Sequence, residues 1–133
     1  MKGKAEFIKQ SAEYYVVVLY SISLFKKEQI GSMPCSISTI CELKELGVSK
    51  AVKIEHFDIQ KKYRKNGYAK LMIEELCDGL KHQVEDAPKV IIAFPAGETP
   101  LPDLYHIYMH LGFRFFTKTL IPTVYNVPMF RFV

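Results

Sequence analysis

QKKYRKNGYAKL, residues 60–71, places four cationic side chains directly before an Asn–Gly pair and the start of a helical pattern. The start of a helix exposes unpaired backbone N–H groups and the positive end of the helix dipole, so it attracts anions. Gly67 and the small Ala69 leave the backbone there open to a phosphate. A solvated surface turn has the same composition. The residues on either side must therefore decide between the two interpretations.

The sequence around this stretch predicts a strand that ends before it and a helix that begins within it. Apolar side chains recur every three or four positions from about Gly67 to Val84 and make one stripe. The stripe consists of Ala69, Met72, Ile73, Leu76, Cys77, Leu80 and Val84. AVKIEHFDI (51–59) alternates like a strand, and KVIIAF (89–94) is a continuous apolar run typical of a strand covered on both faces. The basic turn therefore belongs to a strand–helix–strand unit.

The C-terminal region predicts a second helix and two further strands. Pro102 suits the first turn of this helix, and Gly112 suits its end. The residues expected to share its buried face are Leu104, Ile107, Tyr108 and Leu111. FRFFTKTL (113–120) and VYNVPMFRFV (124–133) have the composition of strands, and Pro128 indicates an edge or a bulge.

The N-terminal region is rich in strand-forming residues but has few clear boundaries. Strands are predicted at 5–9, 14–23 and 33–40, with a turn at 25–32. Residues 41–47 have a helical composition that ends at a glycine. The order of these elements along the chain predicts an α/β protein, with a mixed sheet and helices on its faces.

Length and composition fit one globular domain, residues 1–133. The net charge of +4 is moderate and does not by itself indicate a nucleic-acid binder. Three cysteines without CxxC spacing suit a reducing cytosol, and Cys77 is expected in the core. The apolar run 14–25 is too short to span a bilayer and lacks a signal-cleavage pattern. We therefore expect a cytoplasmic protein without a membrane partner.

Two motifs resemble signatures of the GNAT superfamily of N-acetyltransferases. Residues 64–69, RKNGYA, are similar to its (Arg/Gln)-x-x-Gly-x-(Gly/Ala) motif, and residues 108–113, YMHLGF, to its Tyr-x-x-x-Gly-Phe element. The resemblance covers about residues 52–116. It implies a mostly antiparallel, twisted sheet in which a splayed parallel strand pair holds acetyl-CoA. Two departures are visible: Leu101 replaces a frequent asparagine, and residues 10–50 leave little room for the two helices that usually follow the first strand.

The resemblance also implies which residues bind the cofactor. The backbone at the end of the strand would pair with the pantetheine arm, and the amides of residues 65–70 would hold the pyrophosphate, with Arg64 beside it. The nearby lysines would meet the 3′-phosphate. The cofactor-binding residues implied in this way are Phe57, Asp58, Ile59, Arg64, Lys65, Asn66, Gly67, Tyr68, Ala69 and Lys70.

Acetyl transfer to an amine needs a base for the ammonium proton and an acid for the departing thiolate. The resemblance implies that Tyr108 is the acid, whereas its place on an apolar face equally fits a core tyrosine. Glu55 is the first candidate for the base and His56 the second; each also fits an ordinary exposed strand residue. Adjacent strand residues point to opposite faces, so only one of these two should face the cleft unless a bulge intervenes.

Three kinds of function remain open on these residues. The first is an acetyl-CoA-dependent N-acetyltransferase acting on a primary amine in a ternary complex. The second is a GNAT-like domain that binds acyl-CoA without turnover, and the third is a basic module that binds nucleic acid through Tyr63 and Tyr68. The low net charge counts against the third. No metal site is expected, because His106 and His110 have no further ligands beyond Asp103. The apolar C-terminal strand leaves a homodimer possible.

Overall fold

A computed structural model describes residues 2–117 and 127–133 of the chain. The described strands are β1 (Lys2–Lys9), β2 (Tyr14–Ile22), β3 (Lys27–Ser38), β4 (Ala51–Ile54), β5 (Asp58–Ile59), β6 (Val90–Ala93), β7 (Arg114–Phe115) and β8 (Met129–Phe132). The described α-helices are α1 (Tyr68–Gln83) and α2 (Leu101–His110), and short 3-10 turns span Cys41–Leu46 and Lys61–Tyr63. Most strand pairs are antiparallel, while β4 and β6 form a parallel pair. The predicted α/β class is confirmed.

The chain divides into two compact units. The first consists of Met1–Ser36 and Ile54–Ala87, and the second consists of Ile37–Lys53 and Pro88–Val133.

The first unit is built on an antiparallel β1–β2–β3 meander, with α1 packed against β1 and β2. Alternate side chains of β2 are buried because one face of the meander lies against the helix; Tyr15, Val17 and Leu19 are each at most 2% exposed. β5 adds to the far side of β3, where Gly31 faces Ile59. α1 begins and ends within one residue of the predicted bounds.

The second unit contains the parallel β4–β6 pair and an antiparallel β6–β8–β7 arrangement. All four residues of β6 are at most 1% exposed, which confirms the strand covered on both faces that its apolar run predicts. A buried cluster forms the core of this unit. Its members are Leu43, Ala51, Val90, Ile92, Phe116 and Phe130.

The N-terminal region differs from its prediction between β2 and β3 and agrees with it in containing no α-helix. The turn predicted at 25–32 is wrong, because β3 already begins at Lys27. Its first polar residues pair with β2, with Lys27 opposite Ile22 and Gln29 opposite Tyr20. Pairing with β2 overrides the local preference of these polar residues for a turn. Residues 41–47 form a 3-10 turn that ends at Gly47 in the left-handed conformation. Residues 10–50 contain no α-helix, so the predicted abbreviation of the N-terminal helices is confirmed.

The predicted buried face of α2 is wrong at one position. Ile107 is 46% exposed, whereas Tyr105 is 4% exposed and packs edge-on against Phe115, with 5.1 Å between ring centroids. The stripe is therefore rotated by part of a turn relative to the prediction. Of the two predicted C-terminal strands, the portions at 118–126 lie outside the described residues. Among the described residues, no helix is both long and apolar enough to cross a membrane.

Candidate functional site

The chain segment after β4 pairs with β3 out of step by one residue. The Glu55 N–H donates to the Pro34 carbonyl at 2.9 Å, whereas Asp58 already faces Ser32. Met33 therefore lies opposite two residues, 56 and 57, and this is a β-bulge. Adjacent strand residues were expected to point to opposite faces unless a bulge intervened. The bulge is present, and both Glu55 and His56 are exposed.

A glycine on β3 lets the strands approach this closely beyond the bulge. A Cβ placed on Gly31 would lie only 2.8 Å from the Asp58 carbonyl oxygen, nearer than a side chain is tolerated. The Gln60 N–H then donates to the Ile30 carbonyl at 2.8 Å, so the chain stays attached to β3 up to the basic turn. The pairing fixes where the turn begins.

The Glu55 carboxylate is held by a side chain from β3. Ser36 Oγ donates a hydrogen bond to Glu55 Oε1. Because the Glu55 N–H also bonds to β3, both the backbone and the side chain of this residue are positioned by the same strand. Nearby, burial raises the pKa of the Cys35 thiol to about 12, with the Glu55 charge adding to the shift. Cys35 is therefore a protonated core thiol and not a nucleophile.

Arg64 ties the start of the basic turn back to β5. Its Nε donates to the Ile59 carbonyl at 2.8 Å, and its Nη2 lies 3.8 Å from Asp58 Oδ1. Both partners are themselves predicted cofactor-binding residues. A guanidinium has five N–H donors in a rigid fork, so these contacts set its orientation while leaving it able to face a phosphate.

The turn before α1 takes left-handed backbone at two positions, Lys65 (φ 66°) and Gly67 (φ 78°). The Asn66 side chain points back to the chain, where Nδ2 donates to the carbonyls of Tyr63 (3.0 Å) and Arg64 (3.2 Å). A Cβ on Gly67 would meet no atom within 4 Å, so glycine is required by its conformation and the space above it is open.

The helix that follows begins without a side-chain cap. The Leu71 N–H bonds to the Gly67 carbonyl at 3.2 Å, so the amides of residues 68–70 belong to the first turn, where no preceding helical carbonyl is present. The Tyr68 ring lies against Gly3, Ala69 is half-buried, and Lys70 Nζ is 3.9 Å from the carboxylate of Glu74. This arrangement suits an anion bound by backbone amides.

Tyr108 lies in the second unit, on the buried side of α2, and is 8% exposed. Its ring packs edge-on against Phe113, with centroids 5.5 Å apart. Gly112 (φ 91°) reverses the chain, so that the N–H of Phe113 reaches the Tyr108 carbonyl at 3.0 Å. Burial raises the pKa of the Tyr108 phenol to about 12, which keeps it protonated.

The predicted residues 55–59 and 64–70 thus lie along one continuous segment, which is bonded to β3 from Glu55 to Gln60. Sequence reasoning missed Pro34 and Ser36, because only the strand pairing brings them to Glu55. Among the described residues no group of three or more His, Cys, Asp and Glu side chains is placed to hold a metal. His110 Nδ1–H instead donates to the His106 carbonyl of its own helix at 2.8 Å.

Comparison with known proteins gives matches to solved structures. No family model matches the chain, and no curated protein does. Arabidopsis thaliana NAA60 in complex with acetyl-CoA is 16% identical; the match covers 90% of this chain and 76% of that one, with a TM-score of 0.65. The chain has the GNAT acetyltransferase fold. The NatB acetyltransferase complex bound to CoA and MES is 21% identical, with coverage of 87% and 72% and a TM-score of 0.56.

A third neighbour with this fold carries a different ligand. The KacTA–DNA complex is 14% identical to this chain; the match covers 92% of this chain and 70% of that one, with a TM-score of 0.60. At identities of 14% to 21%, these matches show that the chain shares the GNAT fold and show nothing further.

The buried phenol of Tyr108 gives a pH-dependent prediction. We expect the difference between alkaline absorbance titrations of the wild type and Tyr108→Phe to show one phenol with a pKa of about 12. The unfolded chain releases this proton near the ordinary value of 10 and the folded chain only near 12. The free energy of unfolding of the wild type should therefore fall more steeply than that of the variant between these pH values. A Tyr108 phenol that ionises near pH 10 in the folded protein would contradict the assignment.

Proposed function

We propose that this GNAT-fold chain is an N-acetyltransferase that moves an acetyl group from acetyl-CoA to a primary amine by direct attack in a ternary complex. The observation that carries the proposal is the segment from Glu55 to Lys70. It presents a bulged strand end, an open turn with two left-handed residues and an uncapped helix start in immediate succession. Of the solved structures with this fold, NAA60 was determined with acetyl-CoA and NatB with CoA.

In this proposal acetyl-CoA binds mainly through backbone groups. The pantetheine arm pairs with the backbone of Phe57, Asp58 and Ile59 like an added strand. The pyrophosphate lies over Gly67, where the amides from Lys65 to Lys70 and the helix dipole meet it. The bulge supports this arrangement, because it interrupts ladder pairing next to these residues. Arg64, already fixed to β5, adds its charge beside the phosphates.

The chemistry needs no covalent enzyme intermediate. The neutral amine attacks the thioester carbonyl carbon and gives a tetrahedral oxyanion, which collapses to the amide as the carbon–sulfur bond breaks. One proton leaves the amine and one is delivered to the CoA thiolate, so the reaction is balanced. A backbone N–H near the bulge is proposed to stabilise the oxyanion. Tyr108 is proposed to protonate the thiolate, a role that its protonated state supports.

Glu55 is the proposed base that removes the amine proton, directly or through water. The contact from Ser36 supports it over His56, because this contact fixes the carboxylate and a fixed base reacts from one geometry. His56 stays as the second candidate. We further propose that both units, residues 1–133, make up one acetyltransferase domain that works in the cytoplasm.

Two other functions stay as alternatives. An acyl-CoA-binding domain without turnover would use the same turn and helix start. Nucleic-acid binding has the KacTA–DNA complex as a structural neighbour, and that binding is a property of KacTA. A homodimer stays a prediction. β8 pairs with β6 from Met129 to Phe132 and with β7 at Met129 and Phe130.

The proposed pyrophosphate site predicts a specific effect of Gly67→Asp. The new carboxylate would occupy the open space above the turn and repel the pyrophosphate. We expect the rise in melting temperature that acetyl-CoA gives the wild type to disappear in this variant.

Gly47→Asp is the matched control for that experiment. Gly47 has a similar left-handed φ of 69° and equally open surroundings, but it ends the 3-10 turn of the second unit. Both variants should lose comparable stability without ligand, since both place a side chain in left-handed backbone. Only Gly67→Asp should lose the acetyl-CoA response. If CoA and acetyl-CoA at saturating concentration do not stabilise the wild type, the proposal fails.

The proposed base predicts different effects for neighbouring substitutions. Glu55→Gln should lower kcat for thiol release with an amine acceptor by about 10²–10⁴-fold, because general-base catalysis contributes that much. Ser36→Ala should lower kcat by about tenfold, because the carboxylate stays but loses its orientation. His56→Gln is the control and should retain kcat. Acetyl-CoA stabilisation should persist in all three variants. A loss of kcat in His56→Gln alone would make His56 the base.

A further inference from the structure

The turn between β2 and β3 exposes two large apolar side chains almost completely. Leu24 is 90% exposed and Phe25 is 94% exposed, more than any other large apolar residue in the described ranges. They are the two central residues of a tight turn closed by the Ser23 N–H, which donates to the Lys26 carbonyl at 2.8 Å. We call Leu24 and Phe25 the hairpin tip.

Neither folding nor turn geometry accounts for these residues. Two-residue hairpin turns favour Asn, Asp and Gly, which satisfy the backbone locally. Single exposed apolar residues are common on protein surfaces and need no explanation. Leu24 and Phe25 differ from such single residues because they are adjacent and lie at the end of a hairpin. Both side chains could therefore enter one apolar environment together.

Three lysines lie close to the hairpin tip in the sheet. Lys26 and Lys27 follow it directly, and Lys2 on β1 faces Ile22, two residues before Leu24. The Lys26 side chain is 71% exposed; its partner Glu28 lies 3.6 Å away, at the edge of the patch. Lys27 Nζ stacks over the Tyr20 ring at 4.2 Å, which leaves its charge at the surface. Three cations thus stand against one carboxylate.

Further positive charge enters on the neighbouring edge of β3. Gln60 bonds to this edge through its N–H to the Ile30 carbonyl and through Nε2 to the Gln29 carbonyl. The chain runs antiparallel to β3 there and leaves it at Gln60, opposite Ile30, so Lys61 and Lys62 follow at a point of β3 that is three residues from Lys27.

We propose that the hairpin tip docks on an anionic phospholipid surface. Leu24 and Phe25 would enter the boundary between headgroups and acyl chains, while the lysines remain at the lipid phosphates. Such docking needs no membrane-spanning segment. It therefore revises the expectation of no membrane partner, which rested on the apolar run 14–25 being too short to span. The proposal stands independently of acetyl transfer.

Charge decides between this occupant and two others. A second copy of the chain that met this one tip to tip would bring an equally cationic surface against it, which the repulsion of like charges opposes. Nucleic acid would satisfy the lysines and could stack on Phe25, but it offers nothing apolar to the aliphatic side chain of Leu24. An anionic bilayer satisfies both features.

Phe25→Trp provides a direct test, because the chain contains no tryptophan. We expect its fluorescence emission to shift to the blue when vesicles of phosphatidylcholine and phosphatidylserine, in a ratio of about 3:1, are added, and to stay unchanged with phosphatidylcholine alone. Tyr14→Trp is the matched control. Tyr14 is 55% exposed and begins β2 at the opposite end of that strand, so its emission should not change.

Vesicle co-sedimentation of the otherwise native chain measures the contribution of each part. Leu24→Ser/Phe25→Ser should weaken binding by at least about tenfold, since the apolar contribution is lost. Lys26→Glu/Lys27→Glu should weaken it by about fivefold or more for each lysine removed. Lys9→Glu, at the other end of β1, should have a smaller effect. Unchanged melting temperatures would show that the variants fold.

Three results would overturn the proposal. The first is no blue shift of Phe25→Trp with anionic vesicles. The second is an equal or larger shift with duplex DNA, which would make nucleic acid the occupant. The third is a shift that depends on protein concentration without vesicles, which would indicate a second copy.

Discussion

The one-residue offset between β3 and the segment after β4 is the constraint on which the candidate site depends. Pairing at Pro34/Glu55 and again at Ser32/Asp58 leaves one residue of β3 against two of its neighbour. A regular ladder would continue its hydrogen bonds through residues 56 and 57. The bulge instead releases this stretch from the ladder while β3 holds both of its ends. β3 thus fixes the position of residues 56 and 57 from one side, and the backbone on their other side is available to a ligand.

Two of the cations near the turn are paired with carboxylates, which the sequence alone does not show. Arg64 faces Asp58, and Lys70 faces Glu74. Exposed pairs of this kind contribute about 0–1 kcal/mol each, so a bound phosphate can replace them at small cost. Backbone amides and the helix dipole need no such exchange, because they are already oriented. We therefore assign the primary recognition of the pyrophosphate to the backbone around Gly67, with the cations in a supporting role.

The strand–helix–strand unit was predictable because each of its elements carries a strong local pattern. The apolar stripe of α1 and the continuous run of β6 each determine their own burial. The two consecutive polar residues Glu55 and His56 interrupt the alternation of the segment 51–59 and leave a bulge possible, but only the two pairings of the segment with β3 show that an extra residue lies there. Ser36 was missed for the same reason, since nineteen positions separate it from Glu55. In α2, Ile107 and Tyr105 are both apolar enough for the core, so the pattern alone could not fix the rotation of the helix.

Hydrogen–deuterium exchange with and without acetyl-CoA tests the central claim most directly, because the claim concerns backbone amides. The account predicts that acetyl-CoA slows exchange in the segment that runs from the bulge at residues 56 and 57 through the basic turn to the first turn of α1 at residues 68–70. Peptides from the β1–β2 turn should not change. Equal exchange across residues 55–70 with saturating acetyl-CoA, or protection confined to another part of the chain, would contradict it.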